Sequence, residues 1–193
     1  MNNSRVPTWV AAWQPMIEAV GRDFDADRPL VWGERIDATG IARYIEPLEM
    51  ESRLHSDEGF ARAQGYADIV VPCSALVTFT LPLLWRPGEA PLFVSAERDD
   101  SIRNPLKAAR SALEPHTANG FAVRWDTEFL KPVIRGDRLC RRGAVLVSCT
   151  PKQTKVGQGA FLQWQSEIIN ESREAVARIR STVFRYNPLP AED

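Results

Sequence analysis

The chain has 193 residues, with 24 basic and 25 acidic side chains and a formal net charge of −1. That balance argues against a nucleic-acid-binding surface and against a polybasic membrane patch. The cysteines, Cys73, Cys140 and Cys149, match no metal-ligand spacing and no disulfide framework, which predicts buried free thiols in a reducing compartment. Because no long apolar stretch follows a basic start, we expect no signal peptide and a cytoplasmic location.

Residues 1–29 are predicted to form an extension ahead of the main domain. Apolar side chains recur at helical spacing over residues 8–20, and Thr8 is a possible N-cap. Pro15 lies inside this pattern, where it should kink or break a helix. The extension is therefore predicted to contain a short amphipathic helix or two half-helices.

The main domain is predicted to begin with a strand over residues 30–36. Asp37 and Thr39 then offer N-caps for a helix that ends near Pro47. A polar turn follows this helix and carries one of the two histidines of the chain.

A short helix and a very apolar segment come next. Ser56 or Asp57 can cap the short helix, and Gly65 is suited to end it. Residues 69–85 contain no charged side chain. Within them, Cys73–Leu81 is predicted to be a helix that is buried on all sides.

Proline-rich and charged residues fill the range 86–119, which is predicted to be an overhang or lid with a helical turn around Leu106–Leu113. The last third of the chain alternates apolar and polar residues, as half-buried strands do. The four predicted strands, joined by short turns into an antiparallel meander, cover residues 121–129, 139–149, 160–168 and 175–183. One very apolar helix beside such a sheet predicts an α+β fold, with the sheet curled around the helix.

Three short motifs, in this order and spacing, resemble the MaoC-like family of (R)-specific enoyl-CoA hydratases and 3-hydroxyacyl dehydratases. They are Leu54-His55-Ser56-Asp57 with Phe60-Ala61 and Gly65-Tyr66, then Ile69-Val70-Val71-Pro72, and finally Lys131-Pro132-Val133 with Arg135-Gly136-Asp137 and Leu139. The resemblance implies a hot-dog fold, in which a curled antiparallel sheet wraps around a central helix. It implies one domain over residues 30–186, with 86–119 as an insertion and 187–193 as a tail.

The resemblance also implies a catalytic turn. The family pattern reads Asp-x-Asn-Pro-Leu/Ile-His, and its Asp and His form the catalytic pair. His55 matches the histidine, whereas Met50 occupies the place of the aspartate and cannot transfer a proton. Glu49 and Glu51 flank Met50, so either is a candidate for the missing carboxylate.

The implied reaction is reversible addition of water to a 2-enoyl thioester carried on coenzyme A or on an acyl carrier. The reaction needs a base that activates water and an acid that protonates the α-carbon. An imidazole suits one of these roles, and a nearby carboxylate suits the other or orients the ring. Backbone N–H groups near Cys73 and Ser74, after Pro72, would stabilise the negative charge on the thioester oxygen. The resemblance implies no metal and no redox cofactor.

Three other readings of the sequence stay open. The chain could be a non-catalytic or half-catalytic hot-dog subunit that pairs with a second, dyad-bearing chain, and Met50 favours this reading. A hot-dog thioesterase is disfavoured because Cys73–Leu81 contains no acidic residue, Gln or Asn. A binding module without chemistry is the last. In every case an open sheet edge predicts a homodimer or a heterodimer.

Overall fold

The computed structural model describes residues 7–93, 95–98 and 112–189. Short helices precede a four-stranded antiparallel sheet, so the predicted α+β class is confirmed. The α-helices are α1 (Thr8–Ala11), α2 (Gln14–Glu18), α3 (Ala38–Ile45), α4 (Glu58–Ala63) and α5 (Leu76–Phe79). Single 3₁₀ turns cover Glu46–Leu48, Arg53–His55 and Cys73–Ala75. The strands are β1 (Asn119–Phe129), β2 (Cys140–Thr154), β3 (Gly157–Ile169) and β4 (Ala175–Asn187).

The N-terminal extension forms two short helices, as its sequence predicts. Pro15 lies in the first turn of α2, where a missing N–H costs no helical hydrogen bond. Trp13 and Met16 are buried against the sheet, in a cluster with Leu146 and Leu162. The predicted cap is wrong, because Thr8 lies inside α1 and Pro7 precedes it without a side-chain cap.

The sheet has the order β1-β4-β3-β2. The meander prediction is therefore right for β2, β3 and β4 and wrong for β1, which pairs with β4 rather than with β2. The reason is that residues 130–139 do not form a tight turn. They run beside the apolar segment, where the Val71 N–H donates to the Val133 carbonyl at 2.8 Å.

The predicted strand over residues 30–36 is wrong as a strand. Trp32 makes a single bridge to Cys140, and the Gly33 N–H donates to the Leu139 carbonyl. Gly33 also lies so close to the central helix that a Cβ there would be 2.0 Å from the Phe79 carbonyl oxygen. The segment therefore serves as a spacer between β2 and α5. Asp37, in contrast, caps α3 as predicted, since its carboxylate accepts the Gly40 N–H.

The central helix is shorter than Cys73–Leu81 and is not buried on all sides. It consists of the 3₁₀ turn at Cys73–Ala75 followed by α5. Ala75 and Leu76 share a buried cluster with Ile168 and Ile179 of the sheet. We call this side of the sheet, with Leu162, Ser166, Ile168 and Ile179, the inner face.

The opposite side of the helix is open in the isolated chain. Cys73, Ser74 and Thr78 are exposed, as are Leu81 and Leu83 just beyond the helix. The prediction of burial on all sides is wrong for the isolated chain. An apolar run of this kind does not indicate whether the residues that pack against it belong to the same chain or to another.

The cysteines differ in exposure, so the prediction of buried thiols holds only in part. Cys140 is buried, Cys149 is half-buried and Cys73 is exposed. Burial raises the pKa of Cys149 to about 11, and the nearby negative charge of Glu114 adds to the effect.

The overhang is predicted over residues 86–119. Its described residues contain neither helix nor strand as far as residue 118, and Asn119 already begins β1. The helical turn expected around Leu106–Leu113 lies almost wholly outside the described residues.

Candidate functional site

The His55 turn is fixed between α3 and α4 by the backbone of the apolar segment. The Val70 N–H donates to the Leu54 carbonyl at 2.9 Å, which joins the turn to the segment that leads into the central helix. Asp57 follows His55 at once and caps α4 by accepting the Phe60 N–H at 2.9 Å. That bond, and then the hydrogen bond from Arg53, lowers the pKa of Asp57.

The His55 ring is oriented by one short hydrogen bond. Its Nδ1 lies 2.7 Å from the Val70 carbonyl oxygen, and the side chain is half-buried. A carbonyl oxygen only accepts hydrogen bonds, so Nδ1 carries the hydrogen in this contact. In the neutral ring Nε2 is then the unprotonated nitrogen, which makes it available as a base.

An ionic cluster behind the turn fixes three segments to one another. The Arg135 guanidinium binds Glu58 of α4 at 2.6 Å and Asp68 at 2.9 Å, while its backbone N–H donates to the Ile69 carbonyl. These partners, Asp68 before Glu58, raise the pKa of Arg135. Burial alone would raise the pKa of Asp68, but hydrogen bonds from Ile69 and Arg135 outweigh it, and the pKa is lowered.

The acidic candidates lie in a different environment. Glu49 and Glu51 are exposed on the rim of an open depression of about 590 Å³, together with Ala42, Ile45, Glu46 and Met50. Within the described residues neither carboxylate makes a hydrogen bond or an ion pair with His55. Glu49 has a positive φ of 48°. Met50 is half-buried, and its backbone N–H donates a hydrogen bond to the Ile45 carbonyl. The structure thus places both carboxylates near the turn but does not join them to the imidazole.

Cys73 and Ser74 open the central helix where the sequence predicts them. Pro72 is the N-cap, and both following side chains are exposed. The first N–H groups of a helix have no partner inside it, so those of Cys73 and Ser74 are candidates for binding an oxyanion. Their role stays a prediction.

The sequence reasoning did not single out Arg141. Its Nε donates to Ser166 Oγ at 2.9 Å across the inner face of the sheet. One signal was present in the sequence: Ser166 occupies an inward position of an alternating strand, where a polar residue needs a partner.

The described residues contain neither a cluster of metal-ligating side chains nor a membrane-spanning helix. Across 7–93, 95–98 and 112–189, no three or more His, Cys, Asp or Glu side chains lie close enough together to hold a metal ion. In the same ranges no helix has the length and hydropathy needed to cross a membrane.

Comparison with known proteins gives a likeness in structure only. No protein-family model matches the sequence, and no curated protein matches it either. Among solved structures, a chain of the ChsH1-ChsH2 complex from Mycobacterium tuberculosis matches with a TM-score of 0.64 and 18% identity, covering 95% of this chain and 93% of that chain.

Two further structures match over nearly their whole length. The MaoC-like dehydratase from Rhodospirillum rubrum has a TM-score of 0.55 and 17% identity, with 90% of this chain and 95% of that chain covered. The (R)-hydratase from A. caviae involved in PHA biosynthesis has a TM-score of 0.51 and 14% identity, with 89% and 96% covered. Together with the sheet and the helix on its inner face, these matches show that the chain has the hot-dog fold of the MaoC-like dehydratases.

Proposed function

We propose that the chain is an enoyl-thioester hydratase or 3-hydroxyacyl-thioester dehydratase that uses His55 as its base. The observation that carries this proposal is the bond from His55 Nδ1 to the Val70 carbonyl at 2.7 Å. It directs the basic Nε2 away from the backbone in a ring that cannot turn without losing the bond. The fold likeness to an (R)-hydratase and to a MaoC-like dehydratase supports the same class of reaction.

The reaction needs two proton transfers. His55 Nε2 takes a proton from water as the water oxygen attacks C3 of the enoyl group, and electrons move to the thioester oxygen. The N–H groups of Cys73 and Ser74 are proposed to bind that oxygen while it is negatively charged. Glu49 or Glu51, in its protonated form, is proposed to give a proton to C2 as the electrons return from the thioester oxygen. The proton held by His55 then passes through water to the carboxylate, which restores both groups. Either carboxylate must move toward the imidazole to act.

The substrate is proposed to be a thioester of coenzyme A or of an acyl carrier, and the reaction as written uses no metal and no redox cofactor. The chain is proposed to act as a dimer, because the outer side of the central helix and the adjoining Leu81 and Leu83 are open in the isolated chain. A molar mass measured by light scattering tests this, since a monomer would contradict it.

A second candidate is a half-catalytic subunit that needs a dyad-bearing chain. Met50 at the place of the family aspartate favours it, as do the solvent-exposed positions of Glu49 and Glu51. The chain from the ChsH1-ChsH2 complex, which has a similar fold, belongs to a complex named for two subunits. In this case the dimer of this chain would be a heterodimer.

The test is hydration of crotonyl-CoA and of longer enoyl-CoA thioesters by the purified chain. The reaction is monitored through the loss of absorbance of the enoyl group. We expect activity in the wild type, its loss in His55→Gln, and a fall in one of Glu49→Gln and Glu51→Gln. A folded wild type that hydrates none of the thioesters alone, but does so with a second hot-dog chain, would replace the first candidate by the second.

A further inference from the structure

Arg141 places a cationic side chain on the inner face of the sheet, beside the central part of β3. Arg141 of β2 pairs with Ile168 of β3, a buried core residue, and paired residues share a face of the sheet. Arg141 Nε donates to Ser166 Oγ at 2.9 Å, and Ser166 is only 3% exposed. The guanidinium carbon lies 5.8 Å from the centre of the Trp125 ring on β1. Arg141 therefore reaches from one edge strand of the sheet toward the other.

This guanidinium has no carboxylate partner among the described residues. Its surroundings withdraw enough water to lower the pKa of Arg141, although the side chain is still open to solvent in the isolated chain. Asp25 acts on it only from a distance, and the Asp25 carboxylate is paired with Arg28 at 3.6 Å. A planar guanidinium with unused N–H groups is well suited to bind a carboxylate through two parallel hydrogen bonds.

The next residue shows that pairing is otherwise the rule in this part of the sheet. Arg142 projects from the other face of β2 and binds Glu167 at 2.7 Å. The two arginines are adjacent in sequence and share a strand, yet of these two only Arg142 binds a carboxylate among the described residues. Arg185, which pairs with Ala160 on the inner face, also has a partner, since it lies 3.5 Å from Glu114. The lack of a counter-ion is therefore particular to Arg141.

The inner face connects Arg141 to the His55 turn. His55 is bonded to Val70, and Val71 belongs to the same buried cluster as Leu76 of the central helix and Ile168 of β3. Ile168 pairs directly with Arg141. Ser166 lies on the same face of β3, two residues and about 7 Å along the strand from Ile168. The turn, the central helix and the β3 residue beside Arg141 therefore share one connected layer.

We propose that Arg141 is a specificity-determining residue that binds a carboxylate at the far end of the acyl chain. The inference rests on the proposed function and names its substrate class: a thioester whose acyl group also carries a free carboxylate. Ser166 holds the guanidinium at Nε, Trp125 packs on it, and the remaining N–H groups bind the carboxylate. The ion pair replaces the counter-ion that the described residues lack.

The experiment compares matched pairs of saturated thioesters, which cannot be hydrated, by titration calorimetry. Hexanoyl-, octanoyl- and decanoyl-CoA are each measured beside adipyl-, suberyl- and sebacyl-CoA, which have the same chain length and one free carboxylate. We expect the wild type to bind one carboxylate-bearing thioester about thirtyfold more tightly than its uncharged match. Arg141→Met should remove this preference, and Arg141→Lys should keep a part of it through charge alone. Arg142→Met is the matched control and should behave as the wild type.

Equal affinities within every pair in the wild type would overturn the proposal, and so would a preference that survives in Arg141→Met. If Arg141→Met does not fold, the wild-type ratio and Arg141→Lys decide. A carboxylate preference without hydration of any enoyl-CoA would reject the proposed reaction and keep the assignment of Arg141. Hydration of an enoyl-CoA without the carboxylate preference would keep the proposed reaction and reject the assignment of Arg141. A failure to bind any thioester would overturn both the reaction and the assignment.

Discussion

The His55 half and the Glu49–Glu51 half of the candidate site are built on different supports. His55 is bonded to Val70, and the turn that carries it is fixed by backbone hydrogen bonds and by the Arg135 cluster. Glu49 and Glu51 are exposed, and among the described residues neither carboxylate makes a hydrogen bond or an ion pair.

The His55 imidazole is preorganised, whereas the carboxylates of Glu49 and Glu51 are not. A catalytic side chain held in position loses little entropy when the reaction begins, whereas a solvated carboxylate must be ordered and desolvated first. The chain by itself therefore carries a prepared imidazole, the proposed base, and two unprepared carboxylates, the candidates for the acid. Each prediction below alters one of these halves.

The largest expected effect comes from removing the base. His55→Gln keeps a polar side chain but cannot accept a proton, so we expect enoyl-CoA hydration to fall by about 10²- to 10⁴-fold. The measurement is the initial rate of hydration at saturating thioester. His116→Gln is the matched control, because His116 is the other histidine of the chain and is exposed. Equal rates in the wild type and His55→Gln would exclude His55 as the base.

Supplying the acid should have the next largest effect. Met50→Asp restores the carboxylate of the family pattern five residues before His55, and we expect the hydration rate to rise by about tenfold. Met50→Asn has nearly the same shape without the acid and should give no gain. A rate unchanged by Met50→Asp, together with a loss in Glu49→Gln or Glu51→Gln, would show that the unprepared carboxylate is sufficient after all.

Several features of this site were predictable because they depend on local chemistry. The caps at Asp37 and Asp57 follow from the preference of carboxylates for free N–H groups at helix starts. The strands follow from alternation, which the inner face of the sheet enforces. The His55 turn was found through its resemblance to a family motif rather than from its residues alone.

Other features depend on contacts between distant segments, and the sequence does not encode them locally. Residues 30–36 look like a strand but make one bridge, because Gly33 must pass close to Phe79. The pairing of β1 with β4 depends on where residues 130–139 run. The encounter of Arg141 with Ser166 requires the register of β2 against β3, which alternation does not fix.

The support behind His55 is expected to be sensitive to acid. The pKa of Asp68 is lowered from 3.8, so its ionised form stabilises the fold above that value, and this stabilisation is lost as the pH falls through the lower folded pKa. Asp68→Asn should lower the melting temperature near neutral pH by about 4 to 8 °C. The gap between variant and wild type should shrink below pH 3.8. A gap that stays constant down to strongly acidic pH would show that the charge of Asp68 contributes nothing.

The smallest expected effect separates the cap of α4 from its charge. Asp57→Ala removes the acceptor of the Phe60 N–H and should lower the melting temperature by about 2 to 4 °C, while Asp57→Asn, which can still cap, should stay close to the wild type. Because Asp57 follows His55 directly, the alanine variant should also reduce hydration modestly through a looser turn. If both variants lose activity as strongly as His55→Gln at unchanged stability, Asp57 is the missing carboxylate, and the prepared half of the site contains both groups.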